Sequence, residues 1–211
     1  MIKGKLVFVL HSHLPYVLSH GKWPHGMDWI NEAAAETYIP LLRVFERLVA
    51  EGISPKITIG ITPVLSEMLA DEQFMIEFTS YLDQKIAAAA VDAGEFYRIG
   101  DKKLHNLARM WEDFYRDTRT YFTEHLNRNI TGIFKRLQDE GHIEIITCAA
   151  SHSYLPLLGE DTSVQAQIKL GVSTYQRYFD RQPRGIWLPE CAYRPAYEWS
   201  PPVEGFGGPR P

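Results

Sequence analysis

Cysteine is nearly absent. Only Cys148 and Cys191 occur in 211 residues, without CxxC spacing, which excludes a disulfide scaffold and makes a reducing compartment, the cytoplasm, the expected location. Long apolar runs are missing too, and no stretch approaches the ~20 residues that a membrane helix needs. Two lysines precede the apolar run Leu6 to Leu10, but that run is too short for a secretory signal, and His-Ser-His follows where a small-residue cleavage site would be required. Nor is one sign of charge in excess. The 22 Lys and Arg are scattered among 26 Asp and Glu, for a net charge of -4, so there is no basic field for condensed phosphates and nucleic acid is a poor partner. With 45% apolar and 23% charged residues, the chain is one that buries a core.

What is present is a recurrent strand-then-helix pattern. Four short apolar runs each end in a polar cluster: Leu6 to Leu10, Lys56 to Ile61, Ile143 to Ala149 and Gly185 to Leu188. Their near-continuous apolar character suits parallel strands covered on both faces. Tyr38, Leu41, Leu42, Phe45, Leu48 and Val49 share one helix face, with Pro40 in the first turn and Gly52 as a stop. Further helices are expected over Phe74 to Ala93 and over Leu104 to Leu137, the latter broken around Asn127-Arg128-Asn129. Another runs from Thr162, which has capping-box spacing to Gln165, to about Phe179. The fold class is therefore α/β with a parallel sheet. Four strands cannot close a barrel that normally takes about eight. The segment Glu198 to Pro211 has loop composition, and the chain is expected to be part of a larger domain.

In parallel α/β architectures functional groups collect at the carboxyl ends of strands. That rule selects His11 and His13, Thr62 with Pro63, Ser151 with His152, and Glu190. His11 and His13 are two apart, so both rings leave one face. They could ligate a metal, contact sugar hydroxyls and orient a carboxylate, or cap the strand; zinc would need a third ligand, which His152 or Glu190 could supply. Glu190 follows Trp187-Leu188-Pro189 and reads equally as a loop-start carboxylate or as a nucleophile or general acid. Tyr16, Trp23, Trp29 and Tyr154, with Asp28, His20 and His25, suit either a carbohydrate groove or a small satellite core. Glu67, Asp71 and Glu72, at helix starts, are expected to be solvated or held by the helix dipole rather than catalytic.

Six strings carry a more specific signal: HSHLPYV (11–17), GKWPHG (21–26), ETYIPLL (36–42), GITPVLSEML (60–69), ASHSYLPLLG (150–159) and GIWLPECAYRP (185–195). In this order at strand–helix boundaries, they resemble glycoside hydrolase family 57, and within it the 1,4-α-glucan branching enzymes. The resemblance covers nearly the whole chain and implies the N-terminal part of a (β/α)7 barrel, so that residues 1–211 form a partial catalytic domain. It also implies a retaining transfer of an α-1,4-glucan segment to a 6-hydroxyl, part of glycogen biosynthesis, with an α-1,4-glucan as partner and no metal or organic cofactor. By motif match Glu190 would be the catalytic nucleophile, His11, His13 and His152 would line the substrate subsites, and Trp23 would be an aromatic contact in the groove. Ser151 stands where the family string suggests threonine. The family's acid/base aspartate lies in a later region, and Glu160, Asp161 and Glu198 sit in no matching motif, so the 211-residue chain alone is expected to be inactive. The alternatives are a 4-α-glucanotransferase or α-amylase of the same family, a metal-dependent carbohydrate deacetylase, and a non-catalytic glucan-binding fragment. Oligomeric state is not legible.

Overall fold

The structure, a computed structural model, describes residues 4–200. Its sheet is built from the apolar runs. Strands β1 (Val9–Ser12), β2 (Ile57–Ile61), β3 (Ile143–Cys148) and β4 (Ile186–Trp187) lie side by side in the order β1-β2-β3-β4. All three pairings are parallel, with Val9 opposite Thr58, Ile57 opposite Ile143 and Thr147 opposite Ile186. Strand β3 is buried along almost its whole length, as its mostly apolar sequence, interrupted at Glu144 and Thr147, favours. Strand β1 begins three residues later than expected, because its ladder with β2 carries it through His11 to Ser12. Leu6, Val7 and Phe8 lie ahead of it and are exposed.

The helices are α1 (Met27–Ala33), α2 (Ile39–Ala50), α3 (Pro63–Ala70), α4 (Glu72–Arg98), α5 (Lys102–Thr120), α6 (Ile130–Asp139) and α7 (Asp161–Phe179). Pro40 does sit in the first turn of α2, and Gly52 follows the helix at φ +79°. The expected break near residue 128 is real: Asn127 and Arg128 both adopt left-handed conformations between α5 and α6. The expected capping box is not formed. Helix α7 starts one residue earlier, at Asp161, and its N-cap Glu160 makes no side-chain capping bond. Asp71 caps α4 through the Gln73 amide at 2.7 Å, and Glu67 is bonded by Arg177 and by the Tyr178 hydroxyl, so both acids have structural partners.

The chain divides into two compact units, which the sequence did not separate. One comprises Val17–Ile53 and Met68–Phe134. It is helical, and its core includes Ile30, Leu42, Phe45, Phe74, Phe78 and Phe122, with Phe122 edge-on to Phe78 at 4.8 Å. The other comprises Met1–Tyr16, Ser54–Glu67 and Lys135–Pro211 and holds the sheet.

In the sheet unit, helix side chains fix β3 in place. The Ile145 amide donates to Gln138 Oε1 at 2.8 Å, and the Tyr175 hydroxyl stands 2.9 Å from the Ile145 carbonyl. Further along, Thr147 Oγ1 donates to the Gly171 carbonyl at 3.0 Å. Helix α7 comes so near that a Cβ on Gly171 would meet the Cys148 carbonyl oxygen at 2.3 Å. Gly171→Ala must therefore push α7 off the end of β3. It is expected to cost roughly 1–3 kcal/mol, as overpacking does, read as a lower urea midpoint with an unchanged m-value.

Candidate active site

Strand β1 presents His11 within its last turn of ladder and His13 just beyond it. Opposite His11 on β2 stands Gly60, where a Cβ would lie 3.1 Å from His11 Nδ1. An isolated glycine in an apolar strand marks such an approach, so this position was readable in the sequence. Just past β2 stands Thr62, fully buried, whose hydroxyl lies 3.3 Å from His13 Nδ1.

Strands β3 and β4 deliver the remaining groups on turns of unusual backbone. His152 has φ 58°, Glu190 φ 56° and Cys191 φ 54°, a left-handed region that non-glycine residues seldom occupy. The ends of the two strands are tied by Cys148, whose Sγ donates to the Trp187 carbonyl at 2.9 Å. Burial pushes that thiol up to about 11, so it stays protonated and able to donate.

These elements bring four of the expected residues together. The His13 and His152 rings stack with centroids 3.8 Å apart and planes within 16°. His11 stacks on His152 at 5.1 Å and on Trp187 at 5.9 Å. His11 Nε2 and His152 Nε2 are 3.0 Å apart, so one donates and the other accepts. On the other side of the ring His152 Nδ1 lies 3.6 Å from Glu190 Oε1. The His152 side chain is 5% exposed, whereas that of Glu190 is 68% exposed. A carboxylate open to solvent thus rests against a sequestered imidazole. Trp23 belongs to the helical unit, where it is 77% exposed. His20, His25, Asp28 and Trp29 belong to that unit as well, with His25 packed at 5.5 Å against Trp29.

The histidines resist protonation. His13 is held down to about 4, first by burial and then by the charge that His152 or His11 would place beside it. His11 is lowered by partial burial and by His152 against the opposing pull of Glu190, and His152 by burial against the same carboxylate. At neutral pH the cluster is an uncharged polar face, each ring offering one donor and one acceptor. That suits hydroxyl groups. Face-to-face stacking sets the in-plane lone pairs of His13 and His152 side by side rather than converging. Among the described residues no group of three or more His, Cys, Asp or Glu side chains is placed to hold a metal ion.

Residues 7–203 match the profile of glycosyl hydrolase family 57. The chain belongs to this family. The 1,4-alpha-glucan branching enzyme TK1436 of Thermococcus kodakarensis is 47% identical over 203 residues, 95% of this chain and 29% of that protein. Its crystal structure in complex with glucose and additives superposes with a TM-score of 0.89 at 46% identity, covering 98% of this chain and 36% of that one. The GH57-type branching enzyme of Pyrococcus horikoshii gives a TM-score of 0.94 at 46% identity, over 99% of this chain and 39% of that one. The alpha-amylase AmyC of Thermotoga maritima gives 0.83 at 33% identity, over 93% and 37%. The family 57 chain described here therefore spans between 29% and 39% of the length of these relatives. Its four parallel strands, with the helices between them, are part of the family's (β/α)7 barrel. Among the described residues no helix is long and apolar enough to cross a membrane.

Proposed function

We propose that this chain is the amino-terminal, nucleophile-bearing part of a 1,4-α-glucan branching enzyme, acting in glycogen biosynthesis in the cytoplasm. The observation that carries the reading is Glu190: an exposed carboxylate at the carboxyl end of β4, on a left-handed turn and 3.6 Å from His152 Nδ1. Its setting in WLPECAY, within a chain 47% identical to a branching enzyme, supports the same role. A Thermococcus relative binds glucose in its crystal, which supports a glucan as partner.

In a retaining reaction the Glu190 carboxylate attacks the anomeric carbon. The bond to the leaving sugar oxygen breaks, and that oxygen takes a proton from a second carboxyl about 5–5.5 Å away. The 6-hydroxyl of an acceptor glucan then gives its proton to that second carboxylate and displaces Glu190 from the glycosyl ester, and the new bond is α-1,6. His11, His13 and His152, uncharged at neutral pH, hydrogen-bond sugar hydroxyls, and Trp23 offers an indole plane to the C–H face of a glucosyl ring. The resemblance assigns the proton donor to none of the strings matched within these 211 residues, and without such a donor the leaving oxygen of a natural glucan departs unassisted. Turnover of amylose by this chain alone is expected to fall below detection.

The likeness to AmyC supports hydrolysis as the second reading. Joining this chain to a downstream family 57 segment and counting α-1,6 linkages formed from amylose separates the two. Accumulating branches carry the proposal, and reducing ends without branches overturn it.

A further inference from the structure

His152 occupies the centre of the cluster, yet nothing in its own strand holds it there. It follows the end of β3 by four residues, on a turn closed by its own amide donating to the Ala149 carbonyl at 3.1 Å. The rest of that turn is held by one side of α7. Gly171 admits the Cys148 carbonyl to van der Waals distance, as described above. One helical turn earlier, Gln167 takes over. Its carbonyl accepts from the Ala150 amide at 3.1 Å. Its side-chain Oε1 accepts from the Ser151 amide at 2.9 Å, and its Nε2 donates to Ser151 Oγ at 2.9 Å. Ser151 Oγ in turn lies 2.8 Å from Ser153 Oγ, on the far side of His152.

We propose that Gln167 is a positioning residue: a two-armed side-chain clamp on Ser151 that fixes the left-handed turn and thereby presents the His152 ring to Glu190 on one side and His11 on the other. The amide of Gln167 engages one donor and one acceptor of the same residue, so Ser151 cannot rotate without losing both bonds. With Ser151 fixed and Ser153 bonded to it, the intervening residue has little backbone freedom, and its ring is wedged against His13 at 3.8 Å. No charged group is needed for this. The clamp works through neutral hydrogen bonds at a solvent-facing turn, so it acts by geometry rather than by field. The consequence for glucan chemistry rests on the function proposed above; the consequence for His152 does not.

The test uses the 211-residue chain with isotope-labelled histidine and follows the imidazole of His152 by NMR, with its resonance assigned by loss in His152→Gln. Gln167→Leu keeps bulk and helix propensity but removes both arms. Ser151→Ala removes one arm, and Ser151→Thr keeps the hydroxyl. The expected result is graded. In Gln167→Leu the His152 pKa rises toward the ordinary imidazole value and its tautomer becomes mixed, in Ser151→Ala it moves less far, and in Ser151→Thr it stays with the parent. A side chain that only stabilised α7 would lower the melting temperature and leave the His152 titration unchanged, and that outcome overturns the proposal. Should Gln167→Leu fail to fold, Ser151→Ala decides by the same criterion. Maltoheptaose binding, measured on the same samples, reports separately on the glucan reading. A shifted His152 with unchanged oligosaccharide binding supports the clamp and counts against the sugar-facing role of His152.

Discussion

Glu190→Gln is expected to abolish the release of fluoride from an α-maltosyl fluoride incubated with this chain, by at least about a thousandfold, the scale on which loss of a catalytic nucleophile is felt. The donor is chosen because its leaving group departs without a proton. When the Glu190 carboxylate attacks the anomeric carbon, the C–F bond breaks, fluoride carries away the electron pair, and a glycosyl ester remains on Oε1 or Oε2. No acid partner is required, so the step isolates what this chain itself contributes. A 5-fluoro analogue, which slows departure of the ester, should leave a mass increase on the peptide containing Glu190. The carboxylate is well placed for attack because it is open to solvent on one side and has His152 Nδ1 at 3.6 Å on the other. At that distance, beyond hydrogen-bond length, the neutral imidazole packs beside the nucleophile without neutralising it. Wild-type protein that carries no label, or a label on any other acid, removes Glu190 from the role.

Acid is expected to loosen the sheet unit between pH 6.5 and 4. His13 takes its proton only near pH 4 when folded, against an ordinary 6.5. Between those values the unfolded chain binds more protons than the folded one, so stability falls as pH falls through the window and levels off below it. Each unit of depression is worth about 1.4 kcal/mol in a rigid site. The full depression would be worth about 3.5 kcal/mol, and solvent screening of the half-exposed ring reduces the contribution of His13 to about 2–3 kcal/mol, present in full above pH 6.5 and lost by pH 4. His11 and His152, lowered in the same direction, add to the slope. A series of urea titrations from pH 7.5 to 4 should show the decline in the parent protein. In His13→Gln, whose amide does not titrate, the slope should shrink. An equal slope in both proteins would show that the carboxylates rather than this imidazole govern the acid response.

Most of the sheet was legible because β3 and the end of β2 are buried, and continuous burial writes continuous apolar sequence; β4 keeps an apolar run although it is only part-buried. Strand β1 was misplaced by three residues for the converse reason. Leu6 to Leu10 has the apolarity of a strand, but the strand is defined by its ladder to Thr58 through Ile61, and pairing leaves no mark on the sequence of one partner alone. Helix α1 went unnoticed because it begins in an aromatic and glycine-rich loop, and α3, expected only as a helix start at Glu67, begins earlier, on Pro63, which read as the end of a strand. Proline is at home in the first turn of a helix. Thr162 and Gln165 had the spacing of a cap, yet the helix was already under way at Asp161, an ordinary case of a local signal overruled by packing.

The site followed the same division. His11, His13, Thr62, His152 and Glu190 were found because strand ends point at one face and because the family strings single out four of them. The supports were invisible. Cys148 reads as one more buried small residue, Gly171 as an interruption of a helix, and Gln167 as a polar residue with no reason to differ from its neighbours. Each acts through a contact to a segment 16 to 39 residues away in sequence.

The left-handed turns also set what this protein could become under selection for robustness. His152, Glu190 and Cys191 each hold a conformation that costs an ordinary residue roughly 1–2 kcal/mol and glycine almost nothing. Replacement by glycine would relax the backbone at all three, and at His152 and Glu190 it would also delete the group that the turn presents. Stabilising variants gathered by a screen for heat resistance alone should therefore accumulate at these positions, and those at His152 and Glu190 should be inert. The loops after β3 and β4 are where durability and chemistry draw on the same residues.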